Sequence, residues 1–211
     1  RRKTFNYSKM NNYAVKHSTG YYLLFLNNDT EVISPDWMES MIEFAQRKTT
    51  GVVGAKLLFS NDTIQHAGVI IGVGGMAGHS HRLLPKDIAG YGGRVISIQN
   101  LSAVTGACMM VRKEVFEEVG GFDEKLAVAF NDVELCVRIK EKGFFVVYTP
   151  FAELYHYECY TRGYDDTPEK QIKCKKEYDL FKNKWGSSFT NGDPFYSPNL
   201  TLVYEDFSTK I

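Results

Sequence analysis

The sequence contains no Cys-x-x-Cys pair, no long apolar run and no excess of charge of either sign. Its four cysteines are widely spaced, so they indicate neither a zinc site nor a disulfide framework, and a reducing setting fits them best. No apolar run approaches the roughly 20 residues needed to span a bilayer. Lysine plus arginine and aspartate plus glutamate both number 25, and this zero net charge argues against a whole-surface nucleic-acid binder.

Other common signals are also missing. The chain opens with Arg-Arg-Lys rather than a signal-peptide pattern, and it has no internal repeat and no low-complexity tract. We therefore expect a cytoplasmic protein, or one peripheral to a membrane within a longer chain. What the sequence does have is 44% hydrophobic and 14% aromatic content in 211 residues. This composition predicts one packed globular domain over residues 1–211.

The most informative stretch covers residues 20–32, which read GYYLLFLNNDTEV. Its apolar run predicts a strand buried on both faces, of the kind found in parallel sheets covered by helices. Ligands of such sheets bind beyond the carboxyl ends of the strands, where Asp29 is then a candidate ligand or catalyst. The alternative is that Asn27, Asn28 and Asp29 form only a turn, because Asn and Asp favour turns for local hydrogen-bonding reasons.

The remaining pattern predicts an α/β fold with a mostly parallel sheet flanked by helices. Apolar periodicity and capping residues predict helices at 8–18, capped by Ser8, at 34–45, 113–119 and 131–142, and from 167 onward. Buried strands are predicted at 52–58, 63–73, 103–111 and 144–149, the last ended by Pro150. Glycines and histidines crowd residues 74–99, which we expect to form a flexible loop, and residues 186–211 are expected to form a surface tail.

The histidines and the second acidic stretch each allow two interpretations. His66, His79 and His81 suggest metal, but their spacing fits no common zinc site, and we do not favour ligation by them. At residues 131–142, Asn131 is predicted as the N-cap and Asp132 as the first helical residue. An acid there is favoured by the helix dipole, and it is also a candidate carboxylate facing a cleft.

Four stretches together resemble family 2 glycosyltransferases of the GT-A fold, which use nucleotide-sugar donors. They read FLNNDTEV, VTGACMMVRKEVFEEVGGFDE, FNDVELCVRIKEKG and HYECYTRG. A further segment, QHAGVIIGVGGMAGHSHR, resembles bacterial members that build cell-surface or secreted glycans. The resemblance implies a transferase that moves a sugar from a nucleotide-sugar donor to a glycan or other hydroxyl acceptor, with inversion.

The resemblance also implies a donor side to the site. Asn27, Asn28 and Asp29 stand at the family's DxD position, where the last acid contacts a divalent metal that holds the diphosphate. Asn27 replaces the first acid, which leaves fewer charges for the metal. His156 matches a histidine that approaches the metal or diphosphate, and a histidine ligand tilts the preference from Mg²⁺ toward Mn²⁺. Arg162, on the following loop, is a candidate phosphate contact.

On the acceptor side, Asp132 stands at the position of the family's catalytic base. Asn131 replaces the glutamate that precedes this base, a departure that leaves the role of position 131 open. Gly106 would let the backbone come close to the donor sugar or the acceptor.

The resemblance covers only part of the family's catalytic domain. Its first strand-helix-strand unit, which holds the nucleotide, has no counterpart here, so we expect a truncated core with weak donor binding. An uncovered strand edge predicts dimerisation or strand exchange. Two other interpretations stay open: a catalytically inactive glycan- or protein-binding module on the same scaffold, and an unrelated doubly wound protein such as a nucleotide-binding hydrolase.

Overall fold

The computed structural model describes residues 5–158, 167–189 and 192–210. The strands are β1 (Tyr22–Leu26), β2 (Thr30–Val32), β3 (Thr50–Leu58), β4 (Ile64–His66), β5 (Val69–Ile71), β6 (Ala77–His79), β7 (Gln99–Leu101), β8 (Cys108–Arg112) and β9 (Phe145–His156). The α-helices are α1 (Tyr7–Val15), α2 (Trp37–Ala45), α3 (Lys113–Glu118), α4 (Asn131–Glu141) and α5 (Pro168–Trp185). Short 3₁₀ turns cover Val73–Gly75, Tyr91–Gly93 and Gly186–Phe189.

A central mixed sheet organises the fold and confirms the predicted α/β class. Its strand order is β1-β8-β3-β9-β2, with β4 beside β3 and β7 beside β9. The predicted mostly parallel pairing is wrong, because among the described strands only β3 and β9 pair in parallel. An apolar run reports burial on both faces and not strand direction: β8 is almost fully buried yet antiparallel to both neighbours.

The core lies on both faces of this sheet. Helix α2 packs Met41 and Phe44 onto one face, whereas α3, α4 and α5 contribute to a larger cluster that includes Phe116, Leu135 and Phe181. Strand β3 lies at the centre and is buried along its whole length. This double cover explains the continuous apolar run of β3, and it fixes the ends of the strands that carry the polar residues described below.

Strand β9 is longer than the sequence predicts. It continues through Pro150 to His156, with a register shift in its pairing with β3: Ala55 pairs with Thr149, but Lys56 pairs with Glu153. The residues left over form an irregularity that accommodates a proline, which has no N–H to donate to the ladder. The extension places His156 opposite Thr30 of β2.

The first helix also begins earlier than expected. Asn6, rather than Ser8, is its N-cap, and the Asn6 side chain accepts a hydrogen bond from the Lys9 N–H at 2.8 Å. The Ser8 hydroxyl is buried and donates to the carbonyl of Leu126. Both residue types cap helices well, so the sequence alone does not separate two candidates two positions apart.

The glycine-rich segment and the C-terminal segment contain more structure than the sequence suggests. Within residues 74–99, strand β6 pairs with β5 in a separate two-stranded sheet. The final segment buries Leu200 and Phe207, and the Phe207 ring stacks on His81 with centroids 4.3 Å apart. Isolated apolar residues such as Leu200 and Phe207 produce no periodic pattern within a polar sequence, so the sequence does not predict their burial. Among the described residues, no helix combines the length and apolarity that crossing a bilayer would require.

Candidate functional site

The Asn27–Asp29 segment is a turn held at the carboxyl end of β1. The Asn27 N–H donates to the carbonyl of Ala107 at 2.9 Å, and the Thr30 hydroxyl donates to the carbonyl of Asn27 at 2.9 Å. The N–H of Tyr157 donates to the Asp29 carbonyl at 2.8 Å. The segment is therefore a turn whose backbone is held by three hydrogen bonds. This turn geometry is compatible with a role for Asp29 as a ligand or catalyst.

The Asp29 side chain lies against His156. Its Oδ1 atom is 3.2 Å from Nε2 of His156, and both side chains are about one-tenth exposed. Asp29 Oδ1 is buried without a hydrogen-bond donor. The two atoms are close without being hydrogen-bonded, which is expected when Nε2 carries no proton and presents its lone pair.

Two other side chains hold the His156 ring. The Asn27 amide donates to Nε2 at 3.1 Å, and Nδ1 lies 2.6 Å from Oε1 of Gln65. Burial lowers the pKa of His156, although the nearby Asp29 carboxylate acts in the opposite direction. A neutral imidazole is thereby favoured near pH 7. Gln65 was not singled out from the sequence, where a lone glutamine between Ile64 and His66 carries no motif.

The donor set of Asp29 and His156 fits a divalent cation. A buried carboxylate oxygen without a donor is costly unless a cation or proton compensates it. Adjacent ligands of an octahedral ion, bound at about 2.1 Å, lie about 3 Å apart, close to the observed 3.2 Å between Oδ1 and Nε2. No group of three or more His, Cys, Asp or Glu arranged to hold a metal occurs among the described residues. Two protein ligands suffice where waters and substrate phosphates complete the sphere.

Asp132 is the second residue of α4, one position further into the first turn than predicted. Its Oδ2 accepts a hydrogen bond from the Gly106 N–H at 2.8 Å, and its Oδ1 accepts from the Val133 N–H at 2.8 Å. Each carboxylate oxygen has a second lone pair, so the group keeps acceptor capacity. Because Ala107, next to Gly106, receives the hydrogen bond from Asn27, the two acidic sites are linked through one short backbone segment.

Little room is left for a side chain at Gly106, beside Tyr7 and Asp132. A Cβ at position 106 would lie 3.2 Å from the hydroxyl of Tyr7 and 3.3 Å from Cβ of Asp132. The Tyr7 hydroxyl donates to the Gly106 carbonyl at 2.8 Å, and burial, together with the Asp132 charge, raises the pKa of Tyr7. The space beside Gly106 is thus filled by Tyr7 and Asp132. The structure gives Gly106 a role in holding Asp132 rather than an open approach to a ligand.

The residue before α4 is strained, which corrects the predicted cap. Phe130, not Asn131, is the N-cap, and it has φ 59°, an uncommon conformation for a bulky residue. Its ring stacks on Phe181 of α5 with centroids 5.4 Å apart. Asn131 is buried and donates to the carbonyl of Val128 at 3.1 Å. Strain of this kind persists where the surroundings determine the conformation.

Helix α5 also holds the loop that precedes Asp132. The buried Glu177 accepts hydrogen bonds at Oε2 from the N–H groups of Val128 and Ala129, at 3.0 and 2.6 Å. Carboxylates that accept backbone N–H groups make strong, charge-assisted hydrogen bonds. The position of Asp132 therefore depends on α5 as well as on its own helix.

Two further histidines, the buried His66 and the half-buried His79, form a pair near the site. Nδ1 of His66 lies 3.0 Å from Nδ1 of His79, and the Thr105 N–H donates to Nε2 of His66 at 3.4 Å. Burial is the main cause that lowers the pKa of both. A neutral His66 that accepts at Nε2 carries its proton on Nδ1 and donates it to His79, so this contact is a hydrogen bond. His81 lies elsewhere, against Ser80 and Tyr91.

One of the two remaining predicted donor-binding residues can be placed in the structure. Asn28 is exposed at the tip of the turn, and Arg162 lies outside the described residues.

A cavity of about 550 Å³ lies at the opposite end of β1, lined by Tyr22, Arg112 and Lys113 among others. Tyr22 pairs with Arg112 at the start of β1, whereas Leu26 at its end precedes Asn27, so the cavity is separate from the acidic site. Its basic residues form ion pairs with Glu114 and Glu117. No histidine is among the described residues that line the cavity, so it has no carboxylate–histidine pair like that of the acidic site.

The sequence profile described as "Glycosyltransferase like family 2" matches residues 2–175. The chain belongs to this family. It is 48% identical over 206 residues to protein y4gI of Sinorhizobium fredii, covering 97% of this chain and 23% of that protein. It is 43% identical over 203 residues to the O-antigen biosynthesis protein RfbC of Myxococcus xanthus, covering 96% of this chain and 16% of that protein. The chain therefore spans less than a quarter of either of these relatives.

The solved structures agree with the family assignment at the level of the fold. GalNAc-T7, solved with UDP, GalNAc and Mn²⁺, superposes with a TM-score of 0.67 at 13% identity, over 89% of this chain and 37% of that one. At this identity the likeness concerns the fold alone. The GT-A architecture expected from the resemblance is confirmed.

Proposed function

We propose that this family 2 chain catalyses sugar transfer from a nucleotide-sugar donor to a hydroxyl group of a glycan or other acceptor. The observation that carries the proposal is the linkage of two acidic sites at one end of the sheet. Asn27 contacts His156 through its side chain and Ala107 through its backbone, and the neighbouring Gly106 donates to Asp132. A transferase needs a site for the leaving group beside a group that accepts a proton.

Asp29 and His156 form the proposed leaving-group side. When the bond between the anomeric carbon and the diphosphate oxygen breaks, negative charge develops on the diphosphate. A divalent cation, Mg²⁺ or Mn²⁺, would supply Lewis-acid stabilisation of that charge when bound. Asp29 would contribute a carboxylate oxygen and His156 its single Nε2 lone pair. The Asn27 amide, which donates to that lone pair in the metal-free protein, would give it up to the cation.

Asp132 forms the proposed acceptor side. Its carboxylate, held by the Gly106 and Val133 N–H groups, accepts the proton of the acceptor hydroxyl as that oxygen attacks the anomeric carbon. The new carbon–oxygen bond forms while the bond to the diphosphate breaks on the opposite face, and the nucleoside diphosphate leaves with the electron pair. This single displacement inverts the anomeric configuration. A positioned acid–base group of this kind typically contributes about 10²–10⁴-fold to the rate.

The biological setting follows from the relatives. RfbC of Myxococcus xanthus is described as an O-antigen biosynthesis protein, which supports a role for this chain in the synthesis of a surface polysaccharide. GalNAc-T7 was solved with UDP and Mn²⁺, which supports the proposed nucleotide donor and divalent metal. We further propose that residues 1–211 act as one domain of a larger transferase.

The experiment is a release assay for nucleoside diphosphate. The larger transferase that we propose to contain residues 1–211 is used, because this domain alone is expected to bind the donor weakly. It is incubated with a panel of UDP-, GDP- and dTDP-sugars, with Mn²⁺, with Mg²⁺ or with EDTA. We expect release with one donor, loss of release in EDTA, and the same loss in Asp29→Ala. The exposed Asp87, whose substitution Asp87→Asn leaves the site untouched, provides the control.

Two outcomes would count against the proposal. Release that is equal in EDTA and in Mn²⁺ would remove the metal from the proposed chemistry. Binding of glycans without turnover of any donor, unchanged in Asp29→Ala, would favour the non-catalytic binding module instead.

A further inference from the structure

We propose that Gln65 is a positioning residue that fixes the tautomer of His156 and so directs the Nε2 lone pair toward the site proposed for the cation. The proposal rests on the proposed function, because it concerns the same two ligands. It adds a residue that contacts neither the cation nor a substrate, and whose effect is transmitted through one imidazole ring.

Gln65 makes two contacts with His156, and together they determine the orientation of the amide. The Gln65 Nε2 atom lies 3.2 Å from the backbone carbonyl of His156, and Oε1 lies 2.6 Å from Nδ1 of the ring. The carbonyl oxygen can only accept, so the NH₂ group of Gln65 must face it. The remaining Oε1 also can only accept, and the hydrogen of the second contact must therefore come from Nδ1.

The tautomer of His156 follows from this orientation. With its single proton on Nδ1, the neutral ring presents a lone pair at Nε2. The contact from the Asn27 amide at 3.1 Å agrees with this tautomer, because an NH₂ group can donate to that lone pair. A cation that binds Nε2 would replace this hydrogen bond. Asp29 Oδ1, without a donor and 3.2 Å away, then faces a second electron-pair donor. Two such atoms are stabilised by a cation between them.

The local backbone aims the Gln65 side chain at His156. In the pairing of β4 with β3, Ile64 lies opposite Leu58 and His66 lies opposite Leu57, so Gln65 has no partner of its own. Extra residues of this kind, β-bulges, re-aim side chains and recur beside active sites. Gln65 is only 4% exposed, so water does not compete strongly for its amide.

Other residue types would not perform the same task. Leucine has a similar size but neither donates nor accepts, so the ring would lose its preference for the Nδ1–H form. Glutamate would still accept from Nδ1, but it would lose the donor to the His156 carbonyl and add a charge. Partners that orient a metal-binding histidine in this way typically contribute about 10–100-fold to metal affinity.

The experiment measures the tautomer and the affinity separately. The ¹⁵N chemical shifts of the His156 ring report which nitrogen carries the proton in the metal-free protein, and the EPR signal of free Mn²⁺ reports the affinity. The variants are Gln65→Leu and Gln65→Glu, with Gln46→Leu on the exposed end of α2 as the control. Thermal unfolding identifies any variant that fails to fold, and Gln65→Glu, which keeps the acceptor, is retained as the second variant.

We expect the Nδ1–H form in the wild-type protein, in Gln46→Leu and in Gln65→Glu, and a mixture of tautomers in Gln65→Leu. Mn²⁺ affinity should fall by about 10–100-fold in Gln65→Leu alone. An Nε2–H form in the wild-type protein, or wild-type Mn²⁺ affinity in folded Gln65→Leu, would overturn the proposal. If the wild-type protein binds no Mn²⁺, the metal assignment in the proposed function is wrong. The ¹⁵N chemical shifts of His156 then test the role of Gln65 by themselves.

Discussion

Asp29 and His156 face each other with 3.2 Å between the carboxylate Oδ1 and Nε2, and the Oδ1 atom has no hydrogen-bond donor. Asn27 and His156, which are 129 positions apart in the sequence, are brought together by the pairing of β2 with β9. Asp29 Oδ1 and His156 Nε2 are the protein ligands that we propose for a divalent cation.

Gly106→Ala should displace Asp132. The added methyl group would lie 3.2 Å from the Tyr7 hydroxyl and 3.3 Å from Cβ of Asp132. Both separations are shorter than an ordinary van der Waals contact, so a neighbouring group must shift. We expect the free energy of unfolding to fall by about 1–3 kcal/mol and the transfer rate to fall further than donor affinity. Urea denaturation and initial rates measure the two effects. Gly186→Ala, where the nearest atom is 3.6 Å away, is the control, and equal rates in both variants would contradict the role of Gly106.

Glu177→Ala should loosen the loop before Asp132. It removes the acceptor for the half-buried Val128 and Ala129 N–H groups, and a hydrogen bond to a charged group contributes about 1.5–3 kcal/mol. Urea denaturation should show this loss, and hydrogen exchange at both amides should accelerate. The exposed Glu169 on the same helix supplies the control substitution Glu169→Ala. Unchanged exchange in Glu177→Ala would show that α5 does not hold the loop.

The stability of the protein should decrease on acidification, partly through His81. Burial, assisted by Arg94 and opposed by Asp206, lowers the pKa of His81 from 6.5 to about 4. As the pH falls, His81 is therefore protonated in the unfolded chain before it is protonated in the folded protein. The contribution of His81 to the free energy of unfolding is complete above pH 6.5 and is lost as the pH falls toward 4.

The substitution His81→Asn isolates this contribution. Asparagine tolerates the positive φ of 58° at this position and does not titrate. Urea denaturation at pH 7.5, 6, 5 and 4.5 should show a smaller loss of stability in the variant than in the wild type. Equal slopes in the two proteins would mean that His81 titrates in the same way folded and unfolded.

The free edge of β1 predicts self-association. Among the described strands, β1 pairs only with β8, and Tyr21 beside it is 88% exposed. Open strand edges pair readily with other chains. Light scattering coupled to size exclusion should show dimers that increase with concentration, and Tyr21→Lys should reduce them. A monomer at every concentration would be the contrary result.

The sequence predicted the candidate residues Asp29 and His156, which the fold brings within 3.2 Å of each other, but it did not predict the mixed pairing of the sheet that carries them. Asp29, His156 and Asp132 could be proposed because they stand within recognisable stretches, and their roles stay predictions. Gln65 could not, because its role depends on a bulge in β4 and on the extension of β9 past Pro150, and both are tertiary features. Likewise Phe130 replaces Asn131 as the cap because Phe181 holds it from α5, a contact that no local preference encodes.

The most direct test of the proposed chemistry is the rate of nucleoside diphosphate release by Asp132→Asn, measured together with the affinity for the donor. Asparagine keeps the size and the acceptor oxygen that Gly106 contacts, but it cannot serve as the base. With a saturating donor and acceptor, we predict a rate lower by about 10²–10⁴-fold with donor affinity nearly unchanged. A wild-type rate in this variant would contradict the assignment of Asp132 and, with it, the proposed transfer chemistry.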